Sequence, residues 1–144
     1  MTATRENILS AIAATLATVD GVSGRIWRSR VDALLRDEAP AIVIEPASDD
    51  PLPQQVSTNR IDWRLSVTIA VNVRGNVPDA IASPILADIH ARLMADRTLG
   101  GWAIDTFPST LTYALDKADL TSLWAAQTWT IRYRTSITSL ELTP

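Results

Sequence analysis

Ile61-Asp62-Trp63-Arg64-Leu65-Ser66-Val67-Thr68-Ile69-Ala70-Val71-Asn72-Val73-Arg74 is the stretch of this 144-residue chain that decides its architecture. Its odd-numbered positions are apolar, and its even-numbered ones are polar or small. Successive side chains of a strand point to opposite faces, so the stretch reads as one long β-strand with a single buried face. Its β-branched residues suit a pleated, half-buried surface. At about 3.3 Å per residue the strand would span roughly 46 Å. A chain of this size folds to about 35–40 Å across. The strand should therefore bend at a bulge or project beyond the core. A projecting, one-sided ribbon needs a cover, and a neighbouring subunit is the simplest one.

The last third of the chain holds its natural partner. Trp129, Ile131, Tyr133 and Ile137 keep period two, opposite Thr130, Arg132, Arg134 and Ser136, so 124–137 reads as a second long strand. Residues 39–46 form a short apolar run with prolines at its ends, which allows a buried strand. Residues 24–30 suggest a short strand, and 102–115 a strand broken at Pro108. Ile8, Ala11, Ile12, Leu16 and Val19 form one helical stripe, with Thr2 or Thr4 as cap and Asp20-Gly21 as the stop. Ile81, Ile85, Leu86, Ile89, Leu93 and Met94 predict a second helix over 79–96. It starts at Pro78, or at Pro84 with Ser83 as cap, or it kinks there. A turn of helix is expected over 31–37. Residues 47–59 carry two prolines, paired acids and amides, and read as a mobile or partner-ordered loop. Deleting 49–57 should then leave the fold intact and weaken assembly. The order is α-β-β-β-α-β-β. It predicts a single α+β domain over 1–144: a mixed or antiparallel sheet with two amphipathic helices packed on one face.

Composition narrows the chemistry. Hydrophobic residues make up 47% and charged ones 20%, so the chain can build one core. A net charge of −3 gives no basic nucleic-acid footprint. No cysteine is present, which excludes disulfides, thiolate zinc sites and thiol catalysis. One histidine cannot build a two-histidine metal motif. No apolar run reaches membrane-spanning length, and the first residues do not resemble a signal peptide, so an intracellular soluble protein is expected.

No catalytic constellation emerges. Asp88 and His90 are i, i+2 neighbours on a helix and point apart, so His90 is expected in solvent. Asp49, Asp50 and Glu45 lack calcium-loop spacing and read as solvated acids. No phosphate-loop or nucleophile-elbow pattern occurs. No cofactor is expected. Arg25, Arg28 and Arg30 form the densest basic cluster, and Arg28 and Arg30 would share one strand face. Five tryptophans are many for this length. Trp63 lies on the apolar face. Trp124 is out of phase with Trp129 and should face the other side, where an interface role for it or for Trp27 competes with plain packing.

The chain resembles the tail-terminator, or minor tail protein U-like, family of long-tailed bacteriophages. The similarity covers most of the chain. It rests on Arg5-Glu6-Asn7-Ile8 in the first helix, on Trp27-Arg28-Ser29-Arg30, and on Ala39-Pro40-Ala41-Ile42-Val43-Ile44. A long strand leading into a helix that ends at Leu99-Gly100-Gly101 adds to it, as does Trp129-Thr130-Ile131-Arg132-Tyr133-Arg134-Thr135. The resemblance implies a non-enzymatic ring, typically a hexamer. Such a ring sits on the tail tube, ends tube polymerisation and presents a surface to the head connector. It implies copies of this chain, the tail tube protein and a head-completion protein as partners, with no sequence-specific nucleic acid and no membrane. The expected place is the virion tail, after assembly in the bacterial cytoplasm. Arg28, Arg30, Arg64, Arg74, Trp124, Arg132 and Arg134 are the candidate contact residues. A head–tail joining protein is the near alternative. A small-molecule-binding or enzymatic α+β domain lined by Trp and Arg is the distant one.

Overall fold

A computed structural model describes residues 2–30, 38–53, 59–116 and 121–141. In chain order its elements are α1 (Thr4–Leu16), β1 (Ile26–Arg28), β2 (Ala41–Pro51), β3 (Arg60–Arg74), α2 (Pro78–Ala95), β4 (Asp105–Asp116) and β5 (Ser122–Ser136). The strands form one sheet in the order β1-β2-β3-β5-β4. β1 runs parallel to β2, and the other pairs are antiparallel. The fold is therefore α+β with a mixed sheet, in the element order the sequence predicts.

β3 and β5 pair from Arg60 opposite Ser136 to Arg74 opposite Ser122, with no slip in register. The expected bend is absent from β3. The irregularities lie in the two strands that flank the central β3–β5 pair, between Pro46 and Ser48 of β2 and between Pro108 and Leu111 of β4. Proline lacks the N–H a ladder needs, so a bulge at each of these sites keeps the remaining pairs in place. β2 pairs only as far as Trp63 and β4 only as far as Arg132. The last rungs, 60–62 with 134–136, belong to the central pair alone, although the Leu52 N–H still donates to the Asp62 carbonyl and Thr135 is fully buried.

Both helices cover the same side. Leu65, Val67, Ile69, Val71 and Val73 of β3 lie in one buried cluster with Ile42 and Ile44 of β2 and with Trp129 and Ile131 of β5. Ile8, Ile12 and Leu16 of α1 and Ile85, Ile89 and Leu93 of α2 close the cluster from above. α2 starts at Pro78 and runs through Pro84. Its core face is Ala82, Ile85, Ile89 and Leu93, which continues past the proline at steps of three and four. Arg92 ties the helices together: it donates to the Thr18 hydroxyl (2.6 Å) and the Thr18 carbonyl (2.9 Å), just beyond the C-terminus of α1.

Several local expectations are corrected. α1 ends at Leu16, before Asp20-Gly21, and Ala3 is its N-cap without a side-chain bond. Gly21 does take a left-handed conformation (φ +90°), in the turn beyond the helix. Residues 102–104 precede β4 and are not part of it. The largest correction concerns 47–59: residues 47–51 continue β2. The polar composition marked that stretch as loop, but the bulge lets the ladder resume, with Ser48, Asp49, Asp50 and Pro51 opposite Ser66, Leu65, Arg64 and Trp63. Residues 54–58 of that expected loop, and the expected helical turn at 31–37, lie outside the described residues.

Two stability outcomes follow. Ile69→Ala, at the centre of the buried face of β3, should cost about 2–5 kcal/mol, read from the midpoint of urea unfolding. Deleting 49–57 removes three paired residues of β2 and should lower the melting temperature. A melt matching that of the intact chain would contradict the pairing.

Candidate interaction surfaces

Residues directly opposite in an antiparallel ladder share a face. The register therefore lays out the side of the sheet that the helices leave open. One row crosses four strands as Asp50, Arg64, Arg132 and Asp105. Asp62 and Arg134 form the next row outward. Toward the other end come Ser66, Thr130 and Phe107, then Thr68 and Thr128, then Ala70 and Ala126. Asn72 and Trp124 follow, and Arg74 and Ser122 complete the face. Along the central pair its middle is small and hydroxyl-bearing, with exposed Glu45 on β2 and exposed Phe107 on β4 to either side, and its Arg60–Ser136 end is charged.

The candidate arginines separate into two groups. Arg28 and Arg30 are committed within the chain. Arg28 makes a two-pronged bond to Glu6 (2.7 and 2.9 Å), joining the end of β1 to α1. That hydrogen bond holds the Glu6 carboxyl below its ordinary value. Arg30 makes the same kind of bond to Glu38 (2.8 and 2.9 Å) and lies 4.3 Å from the Trp27 ring centre. Ser29 between them has φ of +51°, outside the strand region. The strand ends there, and the two guanidiniums go to different carboxylates instead of sharing one strand face.

Arg64, Arg132 and Arg134 come together on the open face. Asp62 accepts from Arg134 (2.6 and 3.1 Å) and lies 3.9 Å from Arg132. Hydrogen bonding from Arg134 is the main cause that lowers its pKa. Arg64 is exposed and stands directly across from Arg132. Like charges directly opposite destabilise a sheet pair. Arg97 holds Asp105 (2.6 and 2.8 Å) and reaches over the Phe107 ring at 5.5 Å. Arg74 and Trp124 occupy the far end of the same face, both half-buried.

The edge strand β4 is the second open surface. Phe107, Tyr113 and Leu115 are each more than half exposed along it, at 56–57%. Trp102 and Ile104 just before it are also exposed. On the helix side, a shallow groove of about 550 Å³ runs between the turn after α1 and α2, along the helix from Ile81 to Arg92. Ile81, Pro84 and Ile85 line it with Asp20, Asp88 and Arg92. Asp88 and Arg92 pair with each other at 3.1 Å. His90 is exposed, as expected, and its ring lies 5.9 Å from that of Trp129. Among the described residues, no group of three or more His, Asp or Glu is placed to hold a metal, and no helix is long and apolar enough to cross a membrane.

One cluster was not legible in the sequence. The bulge in β2 turns Asp49 toward the helix side, where a solvated acid was expected. The Tyr133 hydroxyl donates a short hydrogen bond to Asp49 Oδ2. Arg5 Nε stands 3.3 Å from the same oxygen. Trp63 stacks on Tyr133 with ring centres 6.2 Å apart, and Arg5 lies 5.6 Å from the Trp63 ring centre. Burial raises the Asp49 carboxyl above its ordinary value, against the downward pull of Tyr133 and Arg5. Burial and the Asp49 carboxylate together push the Tyr133 hydroxyl up.

No family model matches the chain, and no curated protein matches it. Among solved structures it is similar to a chain of "Virion of native gene transfer agent (GTA) particle". The two share 12% identity, the match covers 90% of this chain and 92% of that one, and the TM-score is 0.40. That score lies below the level that marks a shared fold, so the functional reading rests on this chain's own surfaces.

The raised Asp49 carboxyl has a testable sign. A carboxyl whose folded pKa is raised keeps its proton longer in the native state, so its contribution to stability falls as pH rises from the unfolded value through the folded one. Asp49→Asn removes that fall. The stability of the variant relative to the parent should therefore increase between about pH 3 and about pH 7, measured by urea unfolding at each pH. A difference that stays flat or decreases would contradict the burial-driven rise.

Proposed function

We propose that this chain is a structural protein of a phage-like virion. It closes into a ring, of six copies by the family resemblance alone, on the end of the tail tube, stops tube growth and offers its other side to the head connector. It works by differential association, with no covalent chemistry and no cofactor. The observation that carries this reading is the open β4 edge. A twelve-residue strand at the edge of the sheet, with Phe107, Tyr113 and Leu115 exposed along it, is a template for another chain. The uncovered outer sheet face, with Arg64, Arg132 and Arg134 gathered at one end, supplies a second contact surface on the same molecule.

Two different surfaces suit a head-to-tail contact, which generates a ring when the rotation between neighbours closes. One side of the ring matches the growing end of the tube. The other side lacks the groups that would accept a further tube ring, so addition stops there. Assembly takes place in the cytoplasm of the host, and the protein remains in the virion tail.

The test is direct. Purified protein mixed with tail tubes should appear at tube ends in negative-stain images and should halt further elongation when tube subunits are added. Light scattering coupled to gel filtration should give a closed oligomer, either free or after release from tubes. Protein that leaves tubes uncapped and binds only the connector would favour a neck protein. A metabolite that raises the melting temperature, with no binding to tubes, would overturn the structural reading.

A further inference from the structure

Beyond the bulge in β4 the alternation of faces reverses. Phe107 stands opposite Thr130 on the open face, but Leu111, Tyr113 and Leu115 stand opposite Gln127, Ala125 and Leu123. Ala125 and Leu123 belong to the buried cluster, so these three side chains point to the helix side. The helices leave two of them bare, with Tyr113 57% and Leu115 56% exposed. Thr112 and Ala114 point to the open face and are exposed as well. Residues 112–116 are thus uncovered on both faces, and β4, last in the sheet, pairs with β5 alone.

The two edges of the sheet differ in protection. At the other edge, β1 spans three residues and covers only 42–44 of β2. Past it, the outer side of β2 carries Pro46 and Pro51, which lack N–H groups, and exposed Glu45 and Asp50. Short strands, prolines and charges all blunt an edge against pairing. Residues 109–115 of β4 hold no charge and no proline. Their pattern is also the same read from either end about Tyr113: Leu111 and Leu115 flank it on one face, and Thr112 and Ala114 on the other.

From this unprotected, self-complementary edge, and resting on the reading of β4 as a template, we infer that free copies of this chain pair two by two through β4. The two strands run antiparallel about a two-fold axis at Tyr113. Leu111 of each copy lies opposite Leu115 of the other, Tyr113 opposite Tyr113, and Thr112 opposite Ala114. Asp116 meets Thr110, so no like charges are opposed. A slip by one residue would put the helix side of one copy on the open side of the other. A slip by two leaves one leucine of each copy without an apolar partner, and such cross-strand pairs are what stabilises a ladder. One strand pair is a small interface, so the dimer is reversible. It occupies the edge that ring closure uses, and so holds free protein back until a tube end competes for that edge.

The absence of native cysteine allows cross-linking without background. Tyr113→Cys chains treated with a short bismaleimide should give a homodimer. Leu111→Cys and Leu115→Cys chains, mixed, should link to each other. Leu111→Cys alone should not, because its two copies stand four residues apart along the pair, about 14 Å. Adding Leu115→Lys to Tyr113→Cys should cut the homodimer yield about tenfold, with circular dichroism melts showing that the variant still folds. Amide exchange within 112–115 should slow as protein concentration rises. The linked Tyr113→Cys dimer should fail to cap tubes that the unlinked variant caps.

Linkage of Leu111→Cys with itself, a yield unmoved by Leu115→Lys in folded protein, or amide exchange independent of concentration would overturn the pairing. A linked dimer that caps as well as free protein would refute the holding back. The ring reading is judged separately, by capping images of the unlinked parent chain. Capped tubes without any β4-linked dimer would refute this pairing and leave the ring standing. The dimer without capped tubes would support the pairing and refute the tube-end role.

Discussion

Fifteen consecutive residue pairs join β3 to β5 without a shift. With a period of two on both strands, a slip by one residue would turn every core side chain toward water. That constraint organises the rest of the molecule. It places Leu65, Val67, Ile69 and Val71 on one side with Trp129 and Ile131, and both helices bury their apolar stripes against that side. It leaves the other side with serine, threonine, alanine and arginine. Neighbouring strands adapt to the central pair, and each outer antiparallel strand absorbs its mismatch at a proline-associated bulge.

The bulge in β2 has a consequence beyond geometry. It exchanges which residues look inward, and so delivers a carboxylate to the helix side. Asp49 is held there by Tyr133 and Arg5, next to the stacked Trp63. This polar cluster closes the Arg60–Ser136 end of the core, where α1 begins and where β3 and β5 pair without β2 and β4. Burial raises the Asp49 carboxyl, whereas Asp62 on the opposite face is lowered by hydrogen bonds from Arg134. The same residue type thus contributes with opposite sign to the pH dependence of stability, according to the side of the sheet it occupies.

The surfaces carry the functional argument. The arginines divide by commitment. Arg28 and Arg30 brace β1 and its exit through internal carboxylates, and Arg92 ties α2 to the end of α1. Arg64, Arg132 and Arg134 stand on the open face, toward the end where β3 and β5 pair without β2 and β4. A long sheet edge with three exposed large apolar side chains lies beside them. This arrangement supports the proposed role of a protein that meets other copies and other virion components.

The alternation of 61–74, its echo in 124–137 and the two helical stripes determined the α+β class, the order of elements, the inner face of the sheet and the outward position of Trp124. Each of these depends on side-chain period within one segment, which is a local property. The continuation of β2 through 47–51, the inward turn of Asp49, the separation of Arg28 from Arg30 and the facing of Arg64 with Arg132 were decided only in the tertiary structure. They depend on which residue of a distant strand lies opposite and on where a bulge shifts the count. A single segment carries no record of its partner's register, so that information arises only when the strands are brought together.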